Sequence, residues 1–317
     1  MPTKNILKKQ PHQSAFANLA VVVSSLSLMA GGAWAESPVK MINAEAAKSA
    51  ITTVPLRNNI SVLEGSGGNI GVMDGPEGKF MIDAGIAVSK PRIEAALAKI
   101  SSKPVKYVVD THWHWDHTDG NEWLHATGAT IAGTPNTVKH MSTTSRVDDW
   151  DFTFPPFPKG GIPSVVITKP KTFKFNGQDI IVTPVKPAHT DGDAFVYFKQ
   201  ADVLFLGDLY WNGVYPFIDN EHGGNIGGAI KAVDVALKVA GENTQIVPGH
   251  GEVSGRKELV EFREMLSSIR DNVAALKKQG KTLEQVIAAK PTKDFDAKWG
   301  QFVINPDFFT RLVYQGM

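Results

Sequence analysis

Residues 105–121 read VKYVVDTHWHWDHTDGN, and no other stretch restricts the fold as much. Val105–Val109 is the largely apolar kind of run found in strands buried on both faces. It leads directly into His112, His114, Asp116 and His117. Upstream, NISVLEG, NIGVMDG and KFMIDAG read as three short strands separated by Gly-rich turns. SKPRIEAALAKISS then carries apolar residues at helical spacing, with Ser89 expected as N-cap and Pro91 in the first turn. Strand, helix, strand, loop is an α/β order. It sets the histidine cluster at the carboxyl end of a buried strand, where open α/β folds bind ligands.

The remaining chain repeats this logic. NEWLHATG reads as a short helix, ATIAGT as a strand and NTVKHMST as another helix. Residues 144–171, rich in Pro, Gly and aromatics, read as a long loop, expected to be a partly ordered active-site flap. TFKFNG, DIIVTPV, AFVYFKQ and DVLFLGD follow as strands, then a helix across 225–240, the strand TQIVPG and a helical region from Lys257 to about Ala289. With no short repeat and no linker, residues 36–317 read as a single domain of two similar halves. Residues 254–317 form its C-terminal helical part.

Residues 1–35 stand apart. Lys4, Lys8 and Lys9 precede an apolar, uncharged run at Ala15–Ala30, and AWAE offers Ala33 and Ala35 before a cut. This is the form of a secretory signal peptide, cleaved after Ala35 to give a periplasmic or secreted protein. The apolar run is shorter than the roughly 20 residues a spanning helix needs, so no stable membrane insertion is expected after cleavage. The leader holds three of 33 basic residues and none of 32 acidic ones, which leaves 30 against 32 and a net charge of −2. That balance gives no electrostatic footprint for nucleic acid, so the expected partner is a small-molecule substrate. Cysteine is absent, which excludes a thiolate nucleophile, Cys-ligated metal and disulfides.

Four places combine His or Asp with a strand end and small flanking residues: THWHWDH, PAHTDGD with His189, FLGDLY with Asp208, and VPGHGE with His250. Five of nine histidines sit there; His12, His125, His140 and His222 read as ordinary surface or helix residues. Alternate residues of an extended segment point the same way, so His112, His114 and Asp116 are expected to converge while His117 turns to the other side. Imidazole nitrogen and carboxylate oxygen are natural ligands for Zn²⁺. The loop and the three later motifs together suffice for two adjacent cations, with Asp208 able to bridge them. A structural zinc site is typically Cys-rich and closed, unlike this set.

H-x-H-x-D-H, a lone His, an Asp after an apolar strand and a late P-G-H-G resemble the metallo-β-lactamase superfamily in order and spacing, from about Asn59 to the helix after His250. The resemblance implies an αββα sandwich of two mixed sheets flanked by helices. It also implies a first metal on His112, His114 and His189, a second on Asp116, His117 and His250, and Asp208 as the bridge. Asp83 in MIDAG matches the family's strand-end Asp, which braces the metal loop without binding metal. The reaction implied is dinuclear zinc hydrolysis, with a metal-bound hydroxide opening an ester, lactone, thioester or β-lactam carbonyl and Asp116 as the catalytic carboxylate. Alternatives are a mononuclear iron enzyme of the persulfide dioxygenase type and a glyoxalase II-like thioesterase.

For the substrate, Asp208 stands where thiolate-ligated β-lactamases have Cys, and Trp211 where they have Lys. β-Lactamase activity is therefore expected to be weak or secondary. Tyr210, Trp211 and Trp150 are candidate substrate contacts in an apolar pocket. Trp113 and Trp115 alternate with the ligands and are expected to pack beneath the loop.

Overall fold

The computed structural model describes residues 36–317; the expected signal peptide lies outside the described residues. Helix α1 (Pro38–Ala46) opens the chain, followed by strands β1 (Thr52–Pro55), β2 (Ile60–Glu64), β3 (Ile70–Gly75) and β4 (Gly78–Ile82) as an antiparallel meander. Helix α2 (Lys90–Ile100) crosses over to β5 (Val105–Val109), parallel to β4. Short helices α3 (Trp115–Thr118) and α4 (Asn121–Ala126) lead to β6 (Thr130–Gly133), parallel to β5, and then to α5 (Pro135–Met141).

The long stretch after α5 is more regular than its sequence suggests. β7 (Ser145–Val147) and β8 (Phe152–Phe154) form a hairpin, and β9 (Val165–Val166) joins the first sheet at its edge beside β6. Strands of two or three residues are too short to show a period.

The second half has the same plan. β10 (Lys171–Phe175), β11 (Gln178–Pro184), β12 (Ala194–Phe198) and β13 (Val203–Phe205) form a second antiparallel meander. Helix α6 (Ile226–Val239) then crosses to β14 (Gln245–Val247), parallel to β13. Asn225 caps α6, its Oδ1 accepting from Gly228 N–H at 2.7 Å. Helices α7 (Arg256–Lys278), α8 (Leu283–Ala288), α9 (Asp296–Trp299) and α10 (Pro306–Gln315) complete the chain.

Alternation along the strands builds the layers. Val62, Phe80, Ile82 and Val109 of the first sheet face Val182, Val196, Phe198, Val203 and Phe205 of the second across an apolar core. Phe80 lies 5.5–6.2 Å, ring to ring, from Phe173, Tyr107, Phe175 and Phe198. Burial of Phe80, Phe175 and Phe198 contributes about 1.5–3 kcal/mol each. Leu63, Val72, Met81 and Val108 point outward onto Ile93, Ala96 and Leu97 of α2. Phe195, Leu204 and Ile246 do the same beneath α6 and α7. The result is an αββα sandwich of two mixed sheets.

Three local readings change. Ser89 does not cap α2; its hydroxyl donates to Ala46 O at 3.1 Å and ties α1 to α2. The helical region after Lys257 breaks between α7 and α8, where Gly280 has φ +75° and Thr282 opens a capping box with Gln285. The polar start after Glu36 contains α1 and β1.

Candidate metal centre

β5 delivers the histidine loop to the edge between the sheets, and the loop does not stay extended. His114 has φ −60° and ψ 145° and stands just before α3, so Asp116 and His117 are neighbours on one helical turn. The expected alternation therefore fails after His114. Asp116 does not join His112 and His114 but goes with His117, which stands apart from those two as expected. The potential ligands fall into two buried groups, His112 with His114, His189 and Asp208, and Asp116 with His117 and His250. His189 comes from the turn after β11, Asp208 from the end of β13 and His250 from the end of β14.

Asp83 holds the loop from below. Its backbone is left-handed, φ +61°, a conformation Asp tolerates better than most residues. Its carboxylate accepts from Thr111 N at 2.7 Å, Thr111 Oγ1 at 2.9 Å and His117 Nδ1 at 2.9 Å.

The outward partners fix the ring tautomers. Thr111 Oγ1 gives its proton to Asp83, so it accepts from His112 Nδ1 at 3.1 Å. His189 Nδ1 donates to Phe217 O at 2.9 Å, and His114 Nε2 donates to Asp219 Oδ2 at 3.0 Å. Three bare ring nitrogens consequently face one another: His114 Nδ1 lies 3.1 Å from His112 Nε2 and 2.9 Å from His189 Nε2. Lone pairs that close repel unless a cation sits among them.

The carboxylates make the same demand. Asp208 spans the groups, with Oδ2 3.4 Å from His189 Nε2 and Oδ1 3.1 Å from His117 Nε2 and 3.5 Å from His250 Nε2. Asp116 Oδ2 is 3.3 Å from His250 Nε2. Burial pushes His114 down to about 4. Burial also opposes charge on His250, but Asp208 and Asp116 outweigh it and hold this ring up to about 9. Buried Asp208 Oδ1 and His117 Nε2 make no well-formed hydrogen bond. The donor set fits metal cations, one per group.

Aromatic side chains flank both groups. The turn between β7 and β8 sets Trp150 4.8 Å from the His114 ring and 4.7 Å from Phe217. That turn is pinned by Ser37 Oγ to Trp150 O at 2.7 Å and by Arg311 to Asp149 at 2.6 Å. Trp211 lies 4.2 Å from the His250 ring. Tyr210, expected beside the substrate, is instead buried against Phe262 at 5.0 Å, its hydroxyl on Asn212 and Ser254. The short helical turn at 207–209 rotates it into the core. Trp113 and Trp115 are buried beneath the loop.

Sequence reading missed Asp219 and the pairing of His222; His140 does lie on a helix, α5, as expected, but on its buried side. His140 is buried and paired with Asp191 at 2.7 Å, and His222 binds Asp219 at 2.9 Å. The pair Asp219 and His222 in FIDNEH was the available signal, but no apolar strand end marks it.

Comparison with known proteins agrees with this geometry. Over 50 residues the chain is 42% identical to a linear primary-alkylsulfatase of Pseudomonas sp. (strain ATCC 19151), a match spanning 16% of this chain and 10% of the relative. A stereoselective inverting sec-alkylsulfatase structure from Pseudomonas sp. superposes with TM-score 0.64 at 17% identity, over 86% of this chain and 51% of that one. The chain thus spans about half the length of that structure. A metallo-beta-lactamase from Pontibacter korlensis superposes with TM-score 0.55 at 18% identity, over 68% of this chain and 99% of that one. The sequence model of the metallo-beta-lactamase superfamily matches residues 63–250, most of both sheets and all seven grouped residues. The chain therefore belongs to the metallo-beta-lactamase superfamily.

Proposed function

We propose that the protein is an exported hydrolase that holds two zinc ions and opens an ester, lactone, thioester or β-lactam carbonyl. The observation carrying this reading is the trio of bare imidazole nitrogens 2.9–3.1 Å apart beside a carboxylate that reaches both groups. His112, His114 and His189 would hold the first cation, Asp116, His117 and His250 the second, and Asp208 would bridge. Bound there, two cations acidify a water and polarise the oxygen of the reacting group. Asp116 would offer Oδ2, 3.3 Å from His250 Nε2 and 3.6 Å from His117 Nε2, to the second cation, which would leave its other carboxylate oxygen to orient a water and accept its proton. Trp150 and Phe217 at one end, and Trp211 at the other, exclude solvent and favour an apolar substituent.

A second reading, hydrolysis of alkyl sulfate esters, is supported by the likeness to alkylsulfatases, one of which covers more of this chain than the β-lactamase does.

Metal analysis of protein purified without added metal is expected to find two zinc ions per chain. The zinc-loaded protein is then offered a chromogenic cephalosporin, aryl esters, acyl lactones, thioesters, alkyl sulfates and phosphotriesters. Preferred turnover of a carbonyl substrate supports the first reading; preference for alkyl sulfates moves the assignment to the second. Iron with oxygen uptake on a persulfide overturns both. Asp116→Asn is expected to keep the folded circular-dichroism spectrum and lower kcat by about 10²–10⁴-fold; full activity in that variant removes Asp116 from the mechanism.

A further inference from the structure

His114 differs from its two companions in how its outer nitrogen is held. His112 meets a hydroxyl and His189 a backbone carbonyl, whereas His114 meets the carboxylate of Asp219, itself only 1% exposed. Asp219 is anchored on every side. Its carboxylate accepts from His222 N at 3.0 Å and from His222 Nδ1 at 2.9 Å. Its own N–H donates to His189 O at 2.9 Å, and its carbonyl accepts from Gly224 N at 2.7 Å. The His222 ring in turn packs on Trp113 at 4.8 Å and on His140 at 5.0 Å, and Asp191 holds His140. The turn 217–224 therefore supplies the outer partner of both His114 and His189.

Building on the metal-hydrolase reading, we infer that Asp219, steadied by His222, is a positioning residue that locks the tautomer of His114 and thereby sets cation affinity at the first group. A carboxylate has no proton to give, so it compels N–H at His114 Nε2 and leaves Nδ1 bare toward His112 and His189. An outer carboxylate of this kind also fixes the ring plane and raises the basicity of the inner nitrogen. Asparagine at 219 keeps the shape and reverses the lock. Its oxygen remains the acceptor for the two His222 donors, so its amide N–H faces His114 Nε2. Nε2 must then accept, and the ring proton moves to Nδ1, among the other histidine nitrogens.

The test uses the full chain and zinc in competition with a chromophoric chelator, with tautomers read by long-range ¹H–¹⁵N correlation on metal-free protein. Wild type is expected to show His114 protonated on Nε2. Asp219→Asn is expected to shift that proton to Nδ1 and weaken zinc at the first group about 10–100-fold, leaving the second group unchanged. His222→Ala, which loosens Asp219 without reversing it, is expected to keep the Nε2 tautomer and weaken the first group less. Wild-type affinity at both groups in Asp219→Asn overturns the inference, as does an equal loss at both. His114 protonated on Nδ1 in the wild type overturns it without any variant. Failure of the wild type to take zinc at the first group, with the tautomer as stated, would instead remove the metal reading.

Discussion

At position 68 there is room for a hydrogen and nothing larger. A Cβ built on Gly68 overlaps the His117 ring, so the β2–β3 turn presses its backbone directly against one grouped residue. Its neighbour Asn69 reaches the other side of the site. Asn69 N donates to Gly249 O at 2.8 Å, and its amide donates to Pro248 O at 3.0 Å and Gly251 O at 2.9 Å. The turn thus fastens the His117 loop to the His250 loop. Gly68→Ala is expected to displace His117, lower zinc affinity at the second group at least about tenfold and leave the first group intact. Site-resolved zinc titration checks this, and unchanged binding at both groups contradicts it. The sequence marked a Gly-rich turn at this place, but not its task, because the ring it meets lies 49 positions further along the chain.

Among the elements, α7 supports the site from the outside of the second sheet. Leu259, Phe262, Met265, Leu266, Ile269 and Val273 recur at helical spacing and are all buried. Phe262 packs on Tyr210 at 5.0 Å and on Trp299 at 5.8 Å, directly behind the turn that carries Asp208. Phe262→Ala is expected to cost about 3–5 kcal/mol through lost burial and the cavity left behind. Urea unfolding followed by circular dichroism measures this as a lower midpoint at constant slope; a loss under 1 kcal/mol would show that the layer collapses to fill the space. This helix was legible in the sequence because amphipathic periodicity over many turns is a strong signal. The β7–β8 hairpin was not, since two three-residue strands carry no period.

For the whole molecule, the two groups of potential ligands stand where cations would join the halves. The histidine loop hangs from the first sheet, while His189, Asp208 and His250 hang from the second. Each group draws on both. Stripping metal leaves facing lone pairs and buried carboxylates that repel, and it forfeits binding energy available only to the folded chain. Under the two-zinc proposal, at free zinc about 1,000-fold above Kd, each site would contribute about 4 kcal/mol to stability. Calorimetry with a chelator is therefore expected to show a fall of about ten degrees or more in Tm, reversed when zinc is restored. A melting point indifferent to chelation contradicts this coupling.

Residue type and order along the chain determined a great deal. Apolar runs ending in His or Asp, the small residues beside them and the absence of cysteine are local properties, and they were enough for an α/β order and the identity of the ligand candidates; the αββα layers followed from the family resemblance those motifs carry. What the tertiary structure decided depends on residues about a hundred positions apart meeting at one edge. It wound the histidine loop into a helical turn that sets Asp116 beside His117, turned Tyr210 into the core, and set Asp219 and Phe217 behind the first histidines. A side chain's direction follows from the backbone beneath it and the neighbours docked against it. Neither exists until the two sheets close on each other.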